Sequence, residues 1–336
     1  MKNKLCIILF LSVVAFSGCV KGGVDTSEAG EPLVFSASTV STKAQFAAGD
    51  DGTMEWSSYD NLGAYSFDAN SSALVHSGFA AISWRTGSDA IFASSEGRGV
   101  WAGSASNLRF YAYYPQVSAP EVACVDGKVR LYVSNAQNGE FGKYQICYAS
   151  TDMTAAALTD GYEPVNFEFS PATSMLRVKP VLKNTSAVDA IYIKQLTIKI
   201  ADDRAIAGDC DLTLSSGALT AVDGRSTITV ALEKAVRITK NEAENPYFVA
   251  VLLPAHSGNS ILSFSVADEN GTWFTMSNKL SPARFVAGVR YSLVREFLVS
   301  IADGDSPDAY YIDGGYGWDY APVVEDGAYT DAGFGW

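Results

Sequence analysis

Three features of the sequence predict an all-β fold built as two tandem β-sandwiches. Runs rich in Val, Ile, Phe, Tyr and Thr recur along almost the whole chain, and clusters of Gly, Asp, Asn and Ser separate them. This is the pattern of many short strands joined by turns. The length of 336 residues suits about two domains with ample core. A single stretch, MTAAALTD at 153–160, has the composition of a helix or helical turn. It falls between two sets of strands and places the boundary near residue 160, giving an N-terminal sandwich at 33–160 and a C-terminal one at 161–300.

In the first set we read strands at 33–38 (LVFSAS), 62–67 (LGAYSF), 90–94 (AIFAS), 108–114 (LRFYAYY), 129–134 (VRLYVS) and 144–150 (YQICYAS). In LVFSAS the alternation turns Leu33, Phe35 and Ala37 inward. Asp126-Gly127, between Cys124 and Val129, is a strong hairpin signal. LRFYAYY carries four rings in five positions. Leu108, Phe110, Ala112 and Tyr114 share one face, while Arg109, Tyr111 and Tyr113 share the other. The alternation predicts a central strand whose outer face is partly covered, ended by Pro115, which cannot donate to a ladder. A sugar-binding aromatic platform is the functional alternative.

The second set runs through 165–170, 174–182, 190–200, 210–215, 226–232, 247–254, 261–268 and 289–301. In AIYIKQLTIKI at 190–200 the apolar side switches near Gln195, which predicts a β-bulge, since one extra residue exchanges the faces.

The termini differ from this body. Lys2 and Lys4 precede a largely apolar stretch from Leu5 to Phe16. It is too short to span a bilayer, which needs about 20 residues, and has the form of a secretory signal. Ser17 and Gly18 stand before Cys19, so residues 1–18 resemble a lipoprotein signal with a lipobox, cleaved between Gly18 and Cys19 and lipidated on Cys19. Phe16 stands where Leu is usual. Multiple acyl chains give stable anchoring. Residues 19–32 then form a polar tether. At the other end, the tail at 301–336 holds eight acidic residues, eight aromatics and seven glycines, and neither Lys nor Arg. It is too aromatic for a plain disordered tail and too Gly-rich for a confident strand.

Several chemistries find no support. The net charge of −13 argues against nucleic acid, whose phosphates need basic patches. No P-loop or dinucleotide fingerprint occurs. The two histidines, His76 and His256, lie in different expected domains and read as surface residues; neither has a nucleophile-elbow serine beside it. DGDSPD at 303–308 fails the EF-hand pattern, with Pro307 and Gly314 at ligand positions. No metal, no cofactor and no enzymatic activity are expected. Past Cys6 and Cys19, three cysteines remain. Export permits one bridge, with Cys124–Cys147 as a candidate, and buried thiols are an equal alternative.

Six segments together resemble the fimbrillin-like proteins of the type V pilin superfamily, surface lipoproteins of anaerobic Gram-negative bacteria. They are VFSASTVSTKA at 34–44, MEWSSYDNLGAYSF at 54–67, WAGSASNLRFYAYYP at 101–115, FEFSPATSMLRVKPVLKN at 167–184, YFVAVLLPA at 247–255 and FVAGVRYSL at 285–293. Lys43 replaces the usual Arg, and Tyr59-Asp60 stands where the family has a Gly-Asp pair. The resemblance implies two transthyretin-like β-sandwich domains and assembly by strand exchange. A protease trims the first strand, and a neighbour's strand fills the groove. Here Leu33, Phe35 and Ala37 mark the removable strand, and cleavage falls between Lys43 and Ala44. The other reading is that Lys43 is an ordinary loop lysine and nothing is cut, in which case the lipid stays.

The function expected is therefore a structural or adhesive fimbrial component, lipid-anchored in the outer membrane and exposed at the cell surface. Its partners would be other pilin subunits through strand donation, and a host or bacterial surface ligand. The tail does not alternate as a donor strand should, which favours an accessory, tip or anchor subunit over a stalk. A glycan-binding surface lipoprotein using exposed rings such as Trp318 and Trp336 is the alternative.

Overall fold

The computed structural model describes residues 32–39, 56–84, 87, 89–116, 124–125, 127–160, 164–201, 204–256, 262–277, 284–301, 310–311 and 330–331. The fold is all-β. The first elements are β1 (Pro32–Thr39), β2 (Asn61–Asp68), β3 (Leu74–Trp84), β4 (Asp89–Gly97), α1 (Arg98–Ala102), β5 (Asn107–Tyr114), β6 (Cys124–Val125), β7 (Lys128–Val133), β8 (Ala136–Gln137), β9 (Cys147–Thr154), α2 (Ala155–Asp160) and β10 (Val165–Pro171). There follow β11 (Ser174–Leu182), β12 (Ala190–Ile200), β13 (Ala207–Thr213), β14 (Ala218–Arg225), β15 (Thr227–Thr239), β16 (Phe248–Leu252), β17 (Ala255–His256), β18 (Leu262–Asp268), β19 (Trp273–Ser277), β20 (Arg284–Phe285), β21 (Val289–Phe297), β22 (Ser300–Ile301), β23 (Tyr310–Tyr311) and β24 (Thr330–Asp331).

The first half differs from the expected sandwich. Its strands close into a barrel in the order β1-β10-β9-β5-β2-β3-β4, with β4 returning to β1. The reason is β1. It pairs antiparallel with β4 and parallel with β10, joining two edges that a sandwich would leave apart. The closure is narrow elsewhere, since β10 meets β9 only at Ser170–Tyr148 and Pro171–Cys147. In the second half, a four-stranded sheet (β16-β11-β21-β24), a five-stranded sheet (β19-β18-β12-β15-β8) and a further sheet (β14-β13-β7-β6) share one apolar core.

Strand β7, grouped by sequence with the first half, pairs with β13, and β8 pairs with β15. The hairpin read at 124–129 does form: β6 pairs antiparallel with β7, and Gly127 has φ +69. The bulge expected in β12 is present: both of its ladders shift register between Ile193 and Gln195. Ile193 is therefore buried on the same side as Leu196, Ile198 and Ile200. The helix read at 153–160 forms over Ala155–Asp160.

Of the described elements that escaped the sequence reading, β3, β14 and β19 are the longest strands and α1 is the one α-helix. In β3, Ser77, Gly78, Ala80 and Ala81 dilute the β-branched signal; β14 is exposed along most of its length, so it shows no alternation. The short α1 and β19 carry too few residues for a periodic pattern.

Candidate functional site

Of the residues singled out by sequence, Gly18, Cys19, Lys43 and Ala44 lie outside the described residues, as do Trp318 and Trp336. Leu33, Phe35 and Ala37 are described, and all three are fully buried. Their strand is held on both edges. Against β4 the register runs from Val34–Ala93 to Ser38–Asp89, and against β10 from Phe35–Val165 to Thr39–Phe169. Two side chains add to the β10 side: Ser36 Oγ bonds Asn166 Oδ1, and Ser38 Oγ donates to the Phe167 carbonyl at 3.4 Å.

Phe35 is the centre of this seat. Its ring lies 5.4 Å from Trp101 and 6.4 Å from Phe110, both edge-on, and stacks on Phe167 at 5.6 Å. Burying a phenylalanine contributes about 1.5–3 kcal/mol, and each ring pair about 0.5–1.5 kcal/mol more. One side chain thus holds much of the strand's attachment.

The floor beneath Phe35 is braced from outside the barrel. Trp101 sits on α1, whose Arg98 Nη1 donates to the Leu158 carbonyl of α2 at 3.1 Å. Ser66 Oγ donates to the Trp101 carbonyl at 2.8 Å. His76 bonds Glu96 at 2.8 Å and meets the Trp101 ring edge-on at 4.6 Å. His76, expected at the surface, is thus half-buried structure, and β3 is the reason: it turns that position toward α1. Gly78 suits this crowded corner: a Cβ would stand 2.4 Å from Glu96 Oε2 and 2.9 Å from the Trp101 ring, so both side chains would have to shift. At the other end of the barrel Trp56 makes edge contacts with Phe92, Tyr114 and Phe169 at 5.2–5.4 Å. Asp60 fixes that corner by accepting from the Tyr114 hydroxyl at 2.8 Å and the Ser57 N–H at 2.7 Å.

The aromatic strand β5 serves two cores. Leu108, Phe110 and Ala112 enter the barrel with Phe35. Tyr113 and its stacked partner Tyr65, at 5.9 Å, belong instead to the core of the second half. The Tyr113 ring lies flat on Gly63, where a Cβ would come within 2.1 Å. The partly covered outer face read from the alternation is therefore the seam between the two halves. Further along it, Phe67 and Tyr111 meet edge-on at 5.5 Å and remain half-buried. Arg109 follows, gripped by Asp152 through two bonds of 2.7 and 2.8 Å. That carboxylate raises the guanidinium further above its already high value.

Cys147 is a buried thiol of the barrel core and Cys210 one of the second core. The side chain of Cys124, the partner considered for Cys147, lies outside the described residues. Among the described residues no group of His, Cys, Asp and Glu is arranged to hold a metal, and no helix is long and apolar enough to cross a membrane.

A family model described as fimbrillin-like matches residues 42–298. No curated protein matches the chain. Among solved structures, the chain is similar to a proposed cell adhesion protein from Bacteroides ovatus, at 14% identity and TM-score 0.51, over 89% of this chain and 100% of that one. It is also similar to a proposed cell adhesion protein from Bacteroides uniformis, at 16% identity and TM-score 0.50, over 84% and 98% of the two chains. At such identities these likenesses speak to the fold alone.

Proposed function

The chain belongs to the fimbrillin-like family, and from that premise we propose that it is a structural or adhesive component of a surface fimbrium, assembling by exchange of β1 for a strand of a neighbouring subunit. The observation that carries this reading is the seat of β1. Withdrawing the strand would uncover two ladder edges at once, on β4 and β10, together with the apolar trench over Trp101, Phe110 and Phe167. Unpaired edges and an apolar trench recruit another strand, whose backbone satisfies the first while its alternate side chains fill the second. The family match begins at residue 42, past the end of β1 at Thr39, so the strand itself lies outside the matched region.

In this reading the chain is exported with residues 1–18 as signal and anchored through Cys19 in the outer membrane. Cleavage between Lys43 and Ala44 would release β1 together with the lipid. Tail residues 301–336 lack a donor's alternation, which supports an accessory, tip or anchor role. The test is the mature N-terminus, read by mass spectrometry from surface fimbriae and from the membrane fraction. Fimbriae carrying chains that begin at Ala44, with lipidated Cys19 confined to the membrane fraction, are expected. Fimbriae built from chains that retain residues 32–39 would overturn strand exchange.

A further inference from the structure

The seam between the halves is closed at one end and open at the other. Tyr65 and Tyr113 are fully buried in it. One step along the same strands, Phe67 and Tyr111 line a cleft of about 460 Å³ instead. Small-molecule sites commonly span about 300–1,000 Å³, and this volume accommodates one or two sugar rings.

The walls are fixed. Across the cleft from the rings stands the end of β13, where the Leu214 N–H donates to the Gly127 carbonyl at 3.0 Å, tying that turn to the β6–β7 hairpin. A Cβ on Gly127 would meet nothing within 4 Å, so the space in front of the hairpin is open. Thr213 and Ser215 add hydroxyls on this side.

The polar groups are held ready. Asp68 accepts the N–H groups of Asn70 at 2.8 Å and Ser71 at 3.3 Å, both on Oδ1. Those bonds, the Asn70 one foremost, hold its carboxyl below the usual range. The same turn ends at Ser72, which alone among the described non-glycine residues has positive φ, at 58°. Arg109 stands beside the rings with its plane set by Asp152.

We propose that this cleft binds a neutral saccharide, one or two rings of a glycan chain. Half-open aromatic rings receive the C–H face of a pyranose, and a carboxylate with a fixed guanidinium suits pairs of adjacent hydroxyls. The charge selects among sugars. Asp152 neutralises Arg109, so Asp68 leaves the cleft net negative, in a chain of net charge −13. Uronic and sialic acids are repelled; neutral hexoses and N-acetylhexosamines are not. The site stands with β1 in place and does not depend on strand exchange.

The test uses the full folded chain and saturation-transfer NMR with methyl glycosides of glucose, galactose, mannose and N-acetylglucosamine, with glucuronic acid as the anionic comparison. At least one neutral glycoside is expected to bind in the millimolar range. Tyr111→Ala is expected to weaken it tenfold or more. Because Tyr111 also packs on the second core, Ser215→Trp provides the decisive variant: the position is exposed, and the ring would fill the cleft without entering either core. Binding abolished by Ser215→Trp, with the fold retained by circular dichroism, supports the site. Binding unchanged by that substitution, glucuronic acid bound as tightly, or no glycoside bound at about 20 mM would overturn it.

Discussion

β1 and β11 occupy the same kind of seat in the two halves of the molecule. β1 is antiparallel to β4 and parallel to β10; β11 is antiparallel to β16 and parallel to β21. The difference lies in how each is tied and filled. β11 continues from β10 after Ala172 and Thr173 and is buried at eight of its nine positions, on both faces. β1 buries one face only, through Leu33, Phe35 and Ala37, and a single cut beyond Thr39 separates it from the barrel. Two seats of one geometry thus differ in whether the strand can be withdrawn: the first is detachable by one cleavage, while the second would need two cuts and the uncovering of both faces.

The largest effect expected from this difference is on assembly. Ser36 and Asn166 are paired in the β1–β10 register, so Ser36→Cys with Asn166→Cys would bolt the strand down by a disulfide. The oxidised variant is expected to fold yet form no fimbriae, and a reductant to restore them. The matching bolt across the second seat, Lys179→Cys with Val294→Cys, joins paired residues of β11 and β21. It should leave assembly intact in either redox state. Fimbriae from the oxidised first variant would break the comparison.

Stability gives the next largest effect. Phe35→Ala removes the ring that touches Trp101, Phe110 and Phe167 and is expected to cost about 3–5 kcal/mol in urea unfolding. Leu176→Ala in β11 should cost about 2–5 kcal/mol. The two diverge on rescue. A peptide of residues 32–39 should restore stability to a chain cut after Thr39, whereas no peptide of 174–182 should help a chain altered in β11.

The two thiols then report on the two cores separately. Burial raises both: Cys147 far above the ordinary thiol range and Cys210 to about 12. Each native thiol keeps its proton where the unfolded chain loses it. Their contribution to stability is therefore full below about pH 8.5 and declines as pH rises from there toward 12. At pH 8 the intact protein should resist alkylation at both. Removal of β1 opens the barrel core alone, so Cys147 is expected to react at least tenfold faster while Cys210 stays protected. Equal acceleration at both would mean that the two cores do not respond separately.

Much of this was legible in the sequence because it rests on strict alternation. Leu33, Phe35 and Ala37 announce their face, and Gln195 announces the bulge, since period two leaves no ambiguity on a half-buried strand. The brace under Phe35 was not legible. Trp101 lies on a one-turn helix too short for any period, and His76 and Glu96 meet only because β3 and β4 pair. Barrel closure was equally hidden, because the pairing of β1 with β10 joins residues about 130 apart in sequence, and no local pattern encodes a contact of that range. The cleft shows the same division. Tyr111 and Arg109 stood out as an outer face, but Asp68 joins them only through the β2–β5 ladder, and Thr213 and Ser215 only where the end of β13 faces that ladder across the cleft.

The smallest effect expected comes from a third strand, and it sharpens what makes β1 special. β24 also adds to a parallel neighbour, pairing Thr330 with Val289 and Asp331 with Arg290. It lies at the end of its sheet, with one neighbour and two paired positions, where β1 has two neighbours and a buried face. An edge pairing of that extent exchanges water hydrogen bonds for ladder bonds at little net gain, about 0.5–1.5 kcal/mol each. Truncation after Tyr311, which removes β24 and spares β23, should therefore lower stability by no more than about 3 kcal/mol and leave assembly unchanged. A truncated chain that still folds but no longer assembles would make the tail a second exchanged strand, and the accessory role proposed here would give way to that of a stalk subunit.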